Sequence, residues 1–344
     1  MSAYVGMSAY FVVPDAIDDP DRVSGGNVYD QHVREGLRSR GWDVRMVLIP
    51  DDCGSLTFAQ VPDGALVLID GLIAVRESRA LIAHTSRLRI VVLAHMVAAS
   101  VDREREALWA AKRIIATSEW TRSELISRDH AEPQHVVVAH PGTDPAATTV
   151  PSRSGGRLLC VGAVAPHKGQ DLLVRALARL SDIDDWTCTF VGSLDAAPDF
   201  VNELTRTIQL SHLTARTTFT GVLAGTRLDD AYSRADLVVV PSRNESFGMV
   251  VAEALARGIP VLAARVGGIP EAMSSTEAGL LVPPEDPWAL EVVLRQWWAS
   301  PARRTELKTA AVEARTTVRT WGATIAVIAS TLGEVALSET AVSA

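Results

Sequence analysis

Short apolar runs alternate along almost the whole chain with longer segments in which apolar residues recur every three to four positions. That alternation predicts parallel strands joined by helices that cover both faces of a sheet. In the first half the strand candidates are YFVVP, VRMVLIP, ALVLID, RIVVLAH, RIIATS and HVVVAHPG. The pattern then restarts with RLLCVGA, TCTFVGS, TTFTG, DLVVVPS, IPVLAARV and GLLVPP. One helix is predicted from about Asn27, with Tyr29, Val33, Gly36 and Leu37 on a common stripe and Gly41 as a left-handed cap. After Pro287 only helical periods remain. Trp288, Leu290, Val293, Leu294 and Trp297 form an apolar stripe, and a further amphipathic helix begins at Trp321.

Between the two repeats lies PAATTVPSRSGG, whose proline, serine, threonine and glycine read as a linker. The expected organisation is an N-terminal Rossmann-like domain over 1–145, a linker over 146–156 and a C-terminal Rossmann-like domain over 157–320. A C-terminal helix over 321–344 is expected to pack back toward the N-terminal domain. The fold class is α/β, with two doubly wound domains facing across a cleft. Such sheets bind ligands beyond the carboxyl ends of their strands, so a two-part site that closes on its ligand is expected.

Composition removes several classes of function. The 344 residues suffice for two cores, and the net charge of −8 argues against electrostatic binding to nucleic acid. Neither half is basic, and no Lys/Arg-rich amphipathic face appears, so no strong membrane association is expected. No apolar run approaches a membrane span and no leader pattern opens the chain, which gives a cytoplasmic expectation. The near-repeat MSAYVGMSAY makes Met7 an alternative start. Cys53, Cys160 and Cys188 are odd in number and far apart, without metal spacing or a disulfide framework; Cys160 and Cys188 sit in apolar runs as small hydrophobes.

Three segments combine glycine, charge and a strand-to-helix transition. In SGGNVYDQHV, Gly25 and Gly26 are free to take positive φ and let backbone N–H groups approach an anion at the helix start. A flexible loop before a helix is the plain alternative. In LLCVGAVAPHKGQDLLVRAL, a strand ends at Gly162 and Lys168–Gly169 lead into a helix. A lysine there neutralises a diphosphate, unless it is an ordinary solvated one; the Walker pattern is absent.

The third segment is PSRNESFGMVVAEALARGIPV, followed by VGGIPE. Glu245 lies in a loop after a buried strand, and Ser246, Phe247, Gly248 and Met249 present backbone N–H groups at a helix start. Glu253 lies farther along that helix among apolar neighbours, where a charge needs a partner and a sugar diol supplies one.

Here the chain resembles glycosyltransferase family 4, retaining enzymes of the GT-B fold, and the resemblance runs over nearly its full length. The family's paired glutamates match Glu245 and Glu253, its VG…KG element matches Gly162, Lys168 and Gly169, and its glycine-rich turn matches Gly25 and Gly26. ATSEWTR (116–122) and PGTD (141–144) fall where the family has similar segments. The resemblance implies that Glu253 holds the nucleotide ribose and Glu245 the donor sugar, with the Ser246–Met249 amides near sugar and diphosphate. It also implies that Lys168 meets the diphosphate and that His95, at the end of RIVVLAH, meets the donor sugar. A hydrogen-bonded strand-end histidine is the alternative for His95.

One departure stands out. Many members carry an arginine after the VG, where this chain has Ala163, leaving Lys168 with help from His167 or Arg243. Asp19–Pro20–Asp21 and Asp182–Ile183–Asp184 have Asp-x-Asp spacing but sit in polar turns, so no metal is expected. No cofactor is expected either, the nucleoside-diphosphate sugar being a substrate. The expected reaction moves a hexose-type sugar to an acceptor, a small soluble one before an anionic lipid, by same-face attack assisted by the leaving diphosphate. A nucleotide-sugar epimerase of similar architecture and a non-catalytic sugar-nucleotide-binding module are the alternatives. A Rossmann dehydrogenase is disfavoured because no G-x-G-x-x-G follows a strand. The sequence leaves base, sugar, acceptor and oligomeric state open.

Overall fold

The computed structural model describes residue 4, residues 6–50, residue 58, residues 60–97 and residues 101–338. Cys53 lies outside the described residues. The chain divides into two compact units, one of residues 1–19, 25–142 and 319–344, the other of residues 20–24 and 143–318.

The first unit runs β1 (Ser8–Pro14), α1 (Gly25–Ser39), β2 (Asp43–Ile49), β3 (Leu66–Asp70), α2 (Gly71–Arg76), α3 (Ser78–Ile82), β4 (Arg89–Ala94), α4 (Val101–Trp109), β5 (Arg113–Ala116), α5 (Glu119–Ser127) and β6 (Val136–Val138). The second runs β7 (Arg157–Val161), α6 (Gln170–Ala178), β8 (Thr187–Val191), α7 (Pro198–Leu210), β9 (Thr217–Phe219), α8 (Thr226–Ser233), β10 (Leu237–Val240), α9 (Met249–Ala256), β11 (Val261–Ala264), α10 (Ile269–Ala272), β12 (Gly279–Val282), α11 (Pro287–Ala299) and α12 (Pro301–Ala314). The last helix, α13 (Trp321–Leu337), belongs to the first unit.

Each unit holds a six-stranded sheet, ordered β2-β1-β3-β4-β5-β6 in the first and β12-β11-β10-β7-β8-β9 in the second. The strand pairs are parallel, which explains why the strands read as continuous apolar runs. Every residue of β3 and of β10 is buried. Chain order reverses at β1/β3 in the first sheet and at β7/β10 in the second. In open parallel sheets such switch points are where loops part and ligands enter.

In α1, Tyr29, Asp30, Val33 and Leu37 are buried. A Cβ on Gly36 would lie 2.5 Å from Ile325, so the glycine lets α1 and α13 approach closely. Trp321 opens α13 stacked on His32 at 4.0 Å and edge-on to Tyr29. Gly41 has φ +88, as a left-handed cap requires.

Segment 146–156 is tied to the second unit. Ser152 donates its N–H and hydroxyl to Asp236 at 2.6 and 2.5 Å, Arg157 pairs with the same carboxylate at 3.0 Å, and Trp297 donates to the Gly155 carbonyl at 2.7 Å. Burial would raise the Asp236 pKa, yet the Arg157 and Ser152 bonds hold it below the usual carboxylate range.

The apolar stripe of α11 is narrower than its sequence suggests. Leu290, Leu294 and Trp297 are buried, whereas Trp288 is 57% exposed with the Arg179 guanidinium 3.7 Å above its ring. In the first turn of α11, Trp288 finds a cation rather than the core. Cys160 and Cys188 are free and buried, and burial pushes the Cys160 thiol up to about 12, so it packs without reacting at neutral pH.

Candidate functional site

In the second unit the loops after β7 and β10, on either side of the switch point, are laced together. Gly169 has φ +69, and a Cβ there would lie 2.1 Å from the Pro241 carbonyl oxygen, so only glycine lets the first loop close on the second. The Arg243 and Asn244 amides then donate to the His167 carbonyl at 2.8 and 3.3 Å. This lacing brings Lys168 to Glu245. The ammonium donates to Glu245 Oε1 at 2.5 Å, and Ser242 donates to the same oxygen at 3.1 Å. Glu245 is further held by its backbone, since its carbonyl accepts from the Gly268 amide of the VGG turn after β11 at 3.0 Å.

The chain then enters α9 through Gly248, which has φ +95 and, as the N-cap residue, no side chain to cap the helix. The first-turn amides of α9, from Met249 onward, carry the positive end of the helix dipole into the loop region. Phe247 is buried and anchors the turn. Glu253 is the fifth residue of α9 and partly buried. Its side-chain partner differs from that of Lys168 and Glu245. Tyr232, fully buried in α8, donates to Glu253 Oε2 at 2.6 Å. Arg257 lies 4.5 Å over the Tyr232 ring and donates to the Glu253 carbonyl at 3.1 Å. Burial raises the Glu253 pKa, opposed by the Tyr232 hydrogen bond and the Arg257 charge. The carboxylate retains capacity for further donors, as a pair of neighbouring hydroxyls would supply.

The two cations expected to assist Lys168 are otherwise engaged. Arg243 makes a bidentate pair with Asp171 of α6, at 2.7 and 2.8 Å, and donates to the Pro166 carbonyl at 2.6 Å. Burial, then the Lys168 charge, lowers the His167 pKa below its ordinary value, so His167 is neutral at pH 7. Lys168 therefore supplies the positive charge of this loop. The close partner of that loop missed by the sequence reading is Gly192, after β8; a Cβ on it would lie 2.2 Å from the Gly162 carbonyl oxygen.

In the first unit, Gly25 and Gly26 open α1 as helical residues, and neither uses the positive φ open to glycine. The helix begins two residues before Asn27 and absorbs both glycines into its first turn. ATSEWTR forms the junction of β5 and α5, where Ser118 accepts from the Thr121 amide at 2.9 Å as a helix cap. In PGTD, a Cβ on Gly142 would lie 2.1 Å from the Trp321 amide nitrogen.

His95 follows β4 directly. Its Nε2 lies 2.8 Å from Asp30 Oδ1 and 3.4 Å from Asp70 Oδ2, with Asp30 fully buried and the imidazole 10% exposed. The donor atoms of these three residues lie within 4.8 Å of one another. A carboxylate 2.8 Å from a ring nitrogen requires a proton between them, so the contact is a hydrogen bond. Neither aspartate was singled out from the sequence. Asp182 and Asp184, by contrast, are paired with Arg295 at 2.7 Å and Arg216 at 3.1 Å.

Residues 153–314, which contain both loops and both glutamates, match the family model of Glycosyl transferases group 1. The chain is 36% identical over 256 residues to D-inositol 3-phosphate glycosyltransferase of Kineococcus radiotolerans, covering 66% of this chain and 58% of that protein. It is 35% identical over 209 residues to the protein of the same name from Mycolicibacterium gilvum, covering 57% of this chain and 47% of the other. The chain thus spans about half the length of these curated relatives. Among solved structures, sucrose-phosphate synthase from Thermosynechococcus elongatus superposes with a TM-score of 0.77 at 22% identity, over 97% of this chain and 100% of that one. HepE from Anabaena in complex with UDP-glucose superposes with a TM-score of 0.77 at 20% identity, over 95% and 100%. The architecture is that of the GT-B glycosyltransferases, and residues 153–314 form a group 1 glycosyltransferase domain. Among the described residues no helix is long and apolar enough to cross a membrane.

Proposed function

We propose that this chain is a retaining glycosyltransferase of family 4 that moves a hexose-type sugar from a nucleoside-diphosphate sugar to a small soluble acceptor. The observation that carries this reading is the contact of Lys168 with Glu245 between the β7 and β10 loops, beside the start of α9. A cation and a helix N-terminus suit a diphosphate, and a carboxylate a few ångströms away suits the hydroxyls of the sugar attached to it. Glu253, braced by Tyr232, is assigned the ribose, and His95 an oxygen of the transferred sugar.

In the proposed reaction the bond from the anomeric carbon to the diphosphate oxygen breaks while the acceptor oxygen bonds to the same face. The acceptor proton passes to the departing phosphate oxygen. Lys168 and the α9 amides stabilise the charge that develops on the diphosphate. This mechanism asks neither metal nor cofactor of the chain. The names of the relatives make UDP-glucose and D-inositol 3-phosphate the first donor and acceptor to assay. A thermal-shift panel of UDP, GDP, ADP and dTDP identifies the base, because a ligand at about 100 times its Kd raises stability by about 2.7 kcal/mol. No shift with any of the four would count against the reading.

A further inference from the structure

We infer that Asp30 and Asp70 are positioning residues that hold His95 as an imidazolium with Nε2 fixed between two carboxylates, leaving Nδ1–H as a charged donor for a ligand oxygen. The inference rests on the proposed transfer reaction only for what that donor does. The ion cluster itself stands on the geometry.

The two aspartates are fixed by different means. Asp70 ends β3 and caps α2, its Oδ1 accepting from the Leu72 and Ile73 amides at 2.8 and 3.1 Å, which turns Oδ2 toward the imidazole. Asp30 projects from α1 and is completely buried, with Oδ1 on His95 and no hydrogen-bond partner at Oδ2 among the described residues. Two buried carboxylates facing one ring are strongly unfavourable unless the ring carries a charge. Tyr29, the preceding residue of α1, sets the ring plane by an edge contact at 5.1 Å and 72°. Its hydroxyl donates to the Ala139 carbonyl at 2.9 Å, and burial raises its pKa further, so it stays neutral. Thr117 donates to the His95 carbonyl at 3.3 Å. Among the described residues, the groups acting on the imidazole are therefore Asp30 and Tyr29 from α1 and Asp70 from the β3–α2 junction.

Electrostatics agree with the geometry. Burial alone would lower the His95 pKa, but the charge and hydrogen bond of Asp30, with the charge of Asp70, lift it to about 9. Burial raises Asp30 to about 6, against the pull of His95. Between these values the ring is charged and Asp30 is ionised. A neutral histidine offers one donor and one acceptor, whereas the imidazolium offers two donors and a full charge.

The test is a pH titration of the full chain labelled with 15N-histidine, with the His95 signal identified by its loss in His95→Gln. The wild type is expected to keep His95 doubly protonated at pH 7.5 and to lose the proton near pH 9. In Asp30→Asn the midpoint is expected to fall by more than one pH unit, and in Asp70→Asn by less. A neutral His95 at pH 7 in the wild type, or a midpoint unmoved in both variants, would overturn the inference. The wild-type curve and Asp70→Asn decide the matter if Asp30→Asn does not fold. A parallel pH profile of UDP-glucose turnover separates the two readings. If the alkaline limb follows the titration midpoint in Asp30→Asn, and Asp30→Glu restores both, the positioning role is supported. If the midpoint moves while turnover ignores His95→Gln, the ion cluster stands and the assignment of His95 to the transfer reaction fails.

Discussion

Lys168 and Glu245, 77 positions apart in the chain, meet at 2.5 Å and neutralise each other. One is proposed for the diphosphate and the other for the sugar, so binding of a complete donor must replace their mutual contact with contacts to both ends of the ligand. A free nucleoside diphosphate offers an exchange only to Lys168. On the proposed roles, the pair is expected to favour the intact donor over the product and so to assist product release.

Substitution of either partner tests this directly. Glu245→Gln is expected to tighten free diphosphate binding by about 1 kcal/mol, because Lys168 no longer has an ionic partner to leave. Turnover is expected to fall at the same time, since the carboxylate matters most as charge develops on the sugar. Lys168→Gln is expected to weaken diphosphate binding by about 1.5–3 kcal/mol, a charge-assisted bond being lost. Calorimetric titration of both variants makes the comparison, and equal losses in the two would contradict the competition.

Tyr232 and Glu253 form a second pair with a different signature. Glu253→Gln is expected to weaken donor and free diphosphate alike, by about 1–3 kcal/mol, because the ribose is common to both. Tyr232→Phe removes the 2.6 Å bond to Glu253 at a fully buried position. It is expected to lower stability by about 1 kcal/mol and to weaken nucleotide binding without a selective effect on the sugar. A Tyr232→Phe protein with wild-type nucleotide affinity and an unchanged Tm would remove Tyr232 from the account.

The buried charges around His95 bear on stability with opposite signs. His95, whose folded pKa is raised, contributes fully below about pH 6.5 and loses that contribution as pH rises through about 9. Asp30, whose pKa is raised by burial to about 6, costs nothing below about pH 3.8, and its penalty grows between about 3.8 and about 6 and is fully present above that. At neutral pH the two effects oppose each other. Asp30→Asn is accordingly expected to lie within about 1 kcal/mol of the wild type at pH 7, since histidine can shed its proton when its partner is gone. A denaturant midpoint showing a loss of about 4 kcal/mol would mean that the cluster is structural.

The closure of the two loops depends on a glycine with no room for a side chain. Gly169→Ala is expected to lose more than about 2 kcal/mol, because it combines a left-handed backbone with a contact of 2.1 Å to Pro241. Gly322→Ala in α13, where the nearest atom is Thr320 Oγ1 at 3.6 Å, is expected to be nearly silent. Urea melts of the two variants test the contrast.

All twelve strand candidates in the sequence coincide with observed strands; the central ones, such as β3 and β10, are buried along their whole length and leave a continuous apolar trace that needs no partner to be read. Glu245 and Glu253 stood out for the converse reason, as charges next to apolar runs. What escaped was carried by contacts across long separations: Lys168 with Glu245, Tyr232 with Glu253, and Asp70 with His95. Asp30 was legible in part. It shares the i, i+3, i+7 stripe of α1 with the buried Val33 and Leu37, and an acid on such a stripe signals a buried partner. Trp288 was misread because the same periodicity does not say where a helix leaves the core.

The central claim is retaining transfer from a nucleoside-diphosphate sugar, and the stereochemistry of the product tests it most directly. The full chain is incubated with UDP-glucose and D-inositol 3-phosphate, and proton NMR follows the anomeric signals of donor and product. The account expects the acceptor to be consumed, UDP to be released and the new glycosidic bond to keep the donor's anomeric configuration. A product of inverted configuration, or an isomerised nucleotide sugar formed with no acceptor consumed, would contradict it.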